Sequence, residues 1–292
     1  DLNREGWANL QPGNIWESRD GDDTLAIDLG SQGQHRFYAG YGNDTLILDW
    51  SRATGDIRKS NAYWSYTSFD VYTTILAGLN GDFTQSISFN SVERFNLTGG
   101  AGNDELYGSF NDDTLIGGRG DDRLYASVGV AILDGGDGLD YADIDTYLAS
   151  DPFSLRLADA SQQAVIVNPG SSCQTSWRSI EVVDLTTGEG SDLLDLRGII
   201  ADAYALNREG WVNLHPGNIW SAGSGDDTLA MDLGSRGQHI FYAGYGNDTL
   251  ILDWSSATRD IRKTNAYWAY SSFDVYTTIL AGLNGDSTQS IS

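Results

Sequence analysis

Cysteine is almost missing from this chain of 292 residues: Cys173 stands alone, so no disulfide can form within it, and a disulfide-stapled scaffold is excluded. Cys173 itself reads as an inert small side chain, against the alternative of a bridge between modules. Proline is scarce, at 4 residues against 35 glycines, which points to many tight turns without polyproline linkers. The three histidines, His35, His215 and His239, are isolated, and neither H-E-x-x-H nor G-x-S-x-G occurs, so a zinc protease or a serine hydrolase has no sequence support. Basic residues number 17 against 41 acidic ones, a net charge of -24 that excludes nucleic acid as a natural partner. No apolar run approaches the roughly 18 residues of a membrane span. With 40% hydrophobic and 11% aromatic residues the chain is too apolar for a disordered acidic tail. It begins at Asp1, without initiator methionine or signal peptide, and reads as a mature fragment or a window.

What the chain has instead is a copy of itself. Residues 2–88 recur as 206–292 at a constant offset of 204 without a gap, and 72 of the 87 aligned positions are identical (87 less 15 that differ). Self-similarity on this scale marks stacked units that grow lengthwise. A weaker symmetry divides the module: Ser91-Val-Glu-Arg-Phe-Asn-Leu-Thr98 and Ser179-Ile-Glu-Val-Val-Asp-Leu-Thr186, at an offset of 88, each precede a glycine turn. Four blocks are expected: 1–98, a turn pair plus a strand-rich insertion; 99–143, a roll; 144–204, a second half-unit and junction; and 205–292, the start of the next module.

The carboxylates fall inside glycine turns. Five nonapeptides run without a gap from Gly99: GGAGNDELY, GSFNDDTLI, GGRGDDRLY, ASVGVAILD and GGDGLDYAD. They fit the pattern G-G-x-G-x-D-x-U-x of calcium-binding β-solenoids, in which two nonapeptides make one coil of about 18 residues. Asp104, Asp122 and Asp140 should then share one edge, while the opposite edge keeps Asp113 and has Ala131 at the aspartate position. Ala222-Gly-Ser-Gly-Asp-Asp227 and the turn ending at Asp248 form a further pair. Their counterparts end at Asp23 and Asp44, where Arg19 and Asp20 replace a glycine and a serine. Asp192 closes the turn beginning at Thr187. Glycines allow a tight loop with inward carbonyls, and the aspartate adds a charged oxygen, giving an all-oxygen cage suited to calcium rather than to the smaller, rigid magnesium shell.

Between turns the chain is rich in Tyr, Thr, Ile, Val and Phe with partial period-two patterning, so 49–98 and 144–186 read as strand-rich insertions, with 89–97 a strand and Asn80-Gly81 and Asn284-Gly285 as hairpin turns. The one helix candidate is 196–211, at the junction. Tyr63, Trp64, Tyr66, Phe69 and Tyr72, repeated at Tyr267, Trp268, Tyr270, Phe273 and Tyr276, suit packing of insertion on roll; stacking on sugars is the alternative, which would make cell-surface polysaccharide a partner.

The turns at 18–47, 99–143, 187–195 and 222–251 resemble the repeats-in-toxin, or hemolysin-type calcium-binding, superfamily. The resemblance implies bacterial export in an unfolded state and folding on external calcium, in a family of cytotoxins, secreted enzymes, giant adhesins and surface-layer or fibril proteins. Coupling of metal to folding supplies the physical logic. The expected fold is all-β: calcium-bound parallel β-roll segments with antiparallel insertions, in tandem modules. The expected role is structural and not enzymatic, in an extracellular fibre or surface layer at the cell surface that self-associates through identical modules or chains. The stalk of a giant adhesin and the secretion tail of an exoenzyme or toxin are the alternatives.

Overall fold

Short strands with every second residue apolar can bury one face only by stacking, and that alternation builds both parts of this molecule. The computed structural model describes residues 12–30, 33–60, 73–79, 82–149, 152–159, 164–167, 173–198, 218–232, 237–256, 262–264, 278–283 and 286–291. Every regular element among them is a β-strand, and they divide into two units, 1–141 and 142–292.

In the first unit the strands Thr24–Asp28, Thr45–Asp49, Arg94–Thr98, Asp113–Arg119 and Val130–Asp137 lie parallel, in that order. Their register aligns like with like: Leu48 opposite Leu97, Leu97 opposite Leu115, Leu115 opposite Leu133. Glu105–Tyr107 pairs in parallel with Arg123–Ala126, Leu106 opposite Leu124. All of these leucines are buried, and each contributes roughly 1.5–3 kcal/mol by leaving water. A third sheet joins Pro12–Glu17, Gly33–Tyr38 and Asp82–Asn90 in parallel, then continues antiparallel through Thr73–Leu79 and Arg58–Ser60.

The second unit repeats the plan. Ser154–Asp159, Leu193–Asp195, Thr228–Asp232 and Thr249–Asp253 run parallel. Ala164–Val167 joins Ser154–Asp159 and Gln174–Arg178 by antiparallel pairing. Val182–Thr186, Ile219–Ser221, Gly237–Tyr242 and Asp286–Ile291 are parallel, and Asp286–Ile291 continues antiparallel through Thr278–Leu283 to Arg262–Thr264.

Two expectations need correcting. Residues 89–97 are not one strand: the chain turns at Ser91, whose φ of 52° is left-handed, and divides into Asp82–Asn90 and Arg94–Thr98. Ser179, with φ of 51°, makes the matching turn before Val182–Thr186, so the symmetry at an offset of 88 extends to the backbone. The helix candidate 196–211 is not helical where it is described. Asp195 instead accepts the Arg197 amide and guanidinium and closes a turn at 195–198, while 199–211 lie outside the described residues. Both Asn-Gly turns and both aromatic groups also lie outside them.

Candidate metal centre

Each glycine turn ends in an aspartate that reaches the neighbouring coil. Asp122 Oδ1 accepts the Asp104 amide at 2.7 Å, and Asp140 Oδ1 accepts the Asp122 amide at 2.8 Å, each across 18 residues. Asp44 accepts the Asp23 amide in the same way at 2.8 Å, across 21 residues. In the second unit Asp227 accepts from Asp192 at 2.8 Å, and Asp248 from Asp227 at 3.0 Å. Asp104, Asp122 and Asp140 thus form one ladder, and Asp192, Asp227 and Asp248 a second. The residue before each aspartate builds an outer, exposed ladder running the other way: Asp22 accepts from the Asn43 amide, Asn103 from Asp121, Asp121 from Leu139 and Asp226 from Asn247.

What lies across the turn sorts the carboxylates into two kinds. Asp104, Asp113 and Asp192 face turns with an apolar residue at the aspartate position, and take their Oδ1 bonds from the amides of Ile57, Phe95 and Phe153. Their second oxygens fold back onto their own turns, accepting from Gly100 N–H, Ser109 N–H and the Thr187 hydroxyl. Asp44, Asp122 and Asp227 instead face another aspartate turn. In these three, Oδ2 is buried and has no hydrogen-bond partner.

A buried carboxylate oxygen without a donor is costly unless a cation meets it. Burial pushes Asp122 up to about 7 and Asp104, Asp113 and Asp192 to about 6, and it raises Asp44 and Asp227 as well. Backbone amides pull each of these six back down, and neighbouring acids push them further up.

The turn backbone supplies the remaining oxygens. A Cβ on Gly117 would overlap both Asp122 Oδ2 and the Gly135 carbonyl oxygen, so the missing side chain leaves a cradle where carboxylate and carbonyl converge. Gly118 and Gly136, at φ of 114° and 102°, take a conformation that other residues adopt only with strain and close the loop tightly enough to do this. Among the described residues no three His, Cys, Asp or Glu side chains gather at one point. The donor set is therefore carbonyl oxygen plus paired carboxylate, which fits a hard ion with a large, flexible shell: calcium.

The remaining candidates and some unforeseen residues complete the picture. Asp23 and Asp248 are half-exposed at the open ends of their pairs, and Asp113 lies in the same row of turns as Asp23 and Asp44, since their strands share a sheet. Glu93 was not foreseen: its Oε2 takes the Asp44 amide at 2.9 Å, the bond an aspartate of the next coil would otherwise make. The segment 53–57 was not foreseen either, though it stacks as a turn, with the Ala53 carbonyl accepting from Ala101 at 2.8 Å and the Ile57 carbonyl from Glu105 at 2.9 Å. The recurring Asn or Asp at the fifth motif position was the available signal for the outer ladder.

A model of the RTX calcium-binding nonapeptide repeat, in four copies, matches residues 96–124 and 107–142. Among curated proteins none matches the chain. The stretch 96–142 therefore consists of RTX nonapeptides, repeats that bind calcium and typify secreted bacterial proteins. No helix among the described residues is long and apolar enough to cross a membrane.

Proposed function

We propose that this chain is part of an extracellular structural protein, a calcium-stiffened fibre or surface layer built of tandem modules, without catalytic activity. The observation that carries this reading is the buried Oδ2 of Asp44, Asp122 and Asp227, which has no hydrogen-bond partner and recurs in both units. The carboxylates are committed to the backbone of the preceding coil, which suits a load-bearing stack and leaves them poor acids and bases. Near-identity of 72 in 87 positions suits a part whose task is repetition. The same sameness favours self-association of modules or chains, and the net charge of -24 makes divalent cations the natural counter-charge. Cell-surface polysaccharide is the further partner this setting offers.

Electron microscopy of the native material, with calcium and after chelation, tests the proposal. Ordered filaments or sheets that come apart on chelation are expected. Separate thin rods that only lose stiffness would contradict it and favour the stalk of an adhesin.

A further inference from the structure

On the other edge of the coils that begin each module, histidine stands where the carboxylates stand. Gly30-Ser-Gln-Gly-Gln-His35-Arg-Phe-Tyr38 and Gly234-Ser-Arg-Gly-Gln-His239-Ile-Phe-Tyr242 are nonapeptides with the sixth-position aspartate replaced, each followed without a gap by the turn that ends in Asp44 or Asp248. The replacement keeps the carboxylate's bond. His35 Nδ1 accepts the Asn14 amide at 3.1 Å and His239 Nδ1 the Asn218 amide at 3.3 Å, each across 21 residues, the span over which Asp44 reaches Asp23 and Asp248 reaches Asp227. Asn218 carries the ladder one coil further, its Oδ1 accepting the Val183 amide at 3.0 Å. In these coils one edge is joined through carboxylates and the other through neutral side chains.

An amide N–H is accepted only by a ring nitrogen without a proton, so Nδ1 is bare and the single ring proton sits on Nε2. His35 is 2% and His239 1% exposed, each with a tryptophan ring 5.3 Å away, Trp16 and Trp220. In register, Ile87 stands opposite His35 and Ile291 opposite His239. The ionisable residues of the flanking strands are Glu17 and Asp82 around His35, paired with Tyr38 and Leu79, and Asp286 beside His239, paired with Leu283. Glu17 and Arg36 are exposed, as is Asp28 at the entry to the His35 turn, where it accepts the Gly30 amide. Protonation would add an N–H at Nδ1, in the ring plane and aimed at an amide N–H that cannot accept it. The face of a tryptophan attracts a cation but does not receive that in-plane proton, and the new charge is cut off from water.

We propose that His35 and His239 make the start of each module acid-labile: protonation at Nδ1 breaks the bonds from Asn14 and Asn218 and opens this edge. Closure of the opening coils then requires a deprotonated imidazole on one edge as well as a cation on the other. The device is internal to each module and works whether or not modules assemble into a fibre.

Asparagine at this position can make the same bond without titrating, as Asn218 does to Val183, so His35→Asn and His239→Asn keep an acceptor and remove the proton. Unfolding of the full chain by denaturant is measured from pH 8 to pH 5 in saturating calcium, for the wild type and the double variant, so that the carboxylates and His215 titrate alike in both. An imidazole in the unfolded chain takes its proton near pH 6.5, and a fold that requires the neutral ring loses stability as pH falls below that value. The wild-type unfolding constant should therefore rise relative to the variant by up to about tenfold per pH unit for each histidine. Nitrogen NMR of the wild type, which needs no variant to fold, should show Nδ1 unprotonated and Nε2 protonated in both rings at pH 8, with the Asn14 and Asn218 amide signals shifting together with the ring nitrogens on acidification. Superimposed pH profiles of wild type and variant would overturn the proposal, as would amides that do not move while the rings titrate.

Discussion

The strands Thr45–Asp49 and Thr249–Asp253 have the same sequence and opposite surroundings. Leu46 is 0% exposed, because Arg94–Thr98 lies alongside it; Leu250 is 40% exposed, because among the described residues its strand pairs with Thr228–Asp232 alone. The carboxylates show the same contrast in both directions. Asp44 is buried and its twin Asp248 half-exposed, while Asp227 is buried and its twin Asp23 half-exposed. Burial in this protein is therefore a property of the stacked pair of coils, not of the motif. Stability should follow the nearest-neighbour logic of repeat proteins, in which each interface stabilises the two units it joins.

The sharpest test of that contrast is to truncate the twin leucines. Leu46→Ala should cost about 2–5 kcal/mol and Leu250→Ala under about 1 kcal/mol, as measured by denaturant unfolding in calcium; equal costs would break the comparison. Next in size is the difference between Asp122→Asn and Asp113→Asn. Asp122 joins coils on both sides, donating its amide to Asp140 and accepting from Asp104, whereas the second oxygen of Asp113 is satisfied within its own turn. Asp122→Asn should therefore lower the calcium-dependent melting temperature further, and equal shifts would remove the distinction between the two kinds of carboxylate.

Acidity offers a smaller and opposite-signed effect. The folded carboxyl of Asp122 is pushed up to about 7, chiefly by burial, from the ordinary value of 3.8, so without calcium the folded chain binds more protons than the unfolded one between these values. Stability in chelator should accordingly fall as pH rises from about 4 to about 7, while with calcium present the same acidification should weaken binding by protonating the ligand. Thermal melts at pH 5 and pH 8, with and without calcium, check both signs. The smallest effect is expected at Tyr41 and Tyr245, which occupy the variable motif position and are 82% and 83% exposed. Replacing either by serine should change stability by less than about 0.5 kcal/mol, whichever copy carries it.

Much of this arrangement is legible in the residues themselves. The spacing of Asp104, Asp122 and Asp140 places them on one edge, and Leu106 and Leu124 fill the core as the motif requires. Three features escape such a reading, each for a physical reason. The corner at Ser91 is hidden because apolar residues recur on both sides of it, at Phe89, Val92, Phe95 and Leu97, as they would in a strand, and only the backbone angle reveals the turn. The segment 53–57 has Ile57 at the aspartate position, so it stacks through its amides, its carbonyls and Asp56 Oδ1, which accepts the Asn103 amide, without the carboxylate that marks the other turns. The bond from Asp192 to Asp227 joins turns 35 residues apart, beyond the spacing of any nonapeptide pair.

The most direct test is to follow the β-structure of the full chain by circular dichroism, first in chelator, then on titration with calcium, and separately with magnesium. A weakly structured chain that gains β-sheet cooperatively with calcium, and far less with magnesium, is expected from stacked turns whose buried carboxylate oxygens await a large, hard ion. The same β-sheet signal and the same melting temperature in chelator as in calcium would contradict that claim.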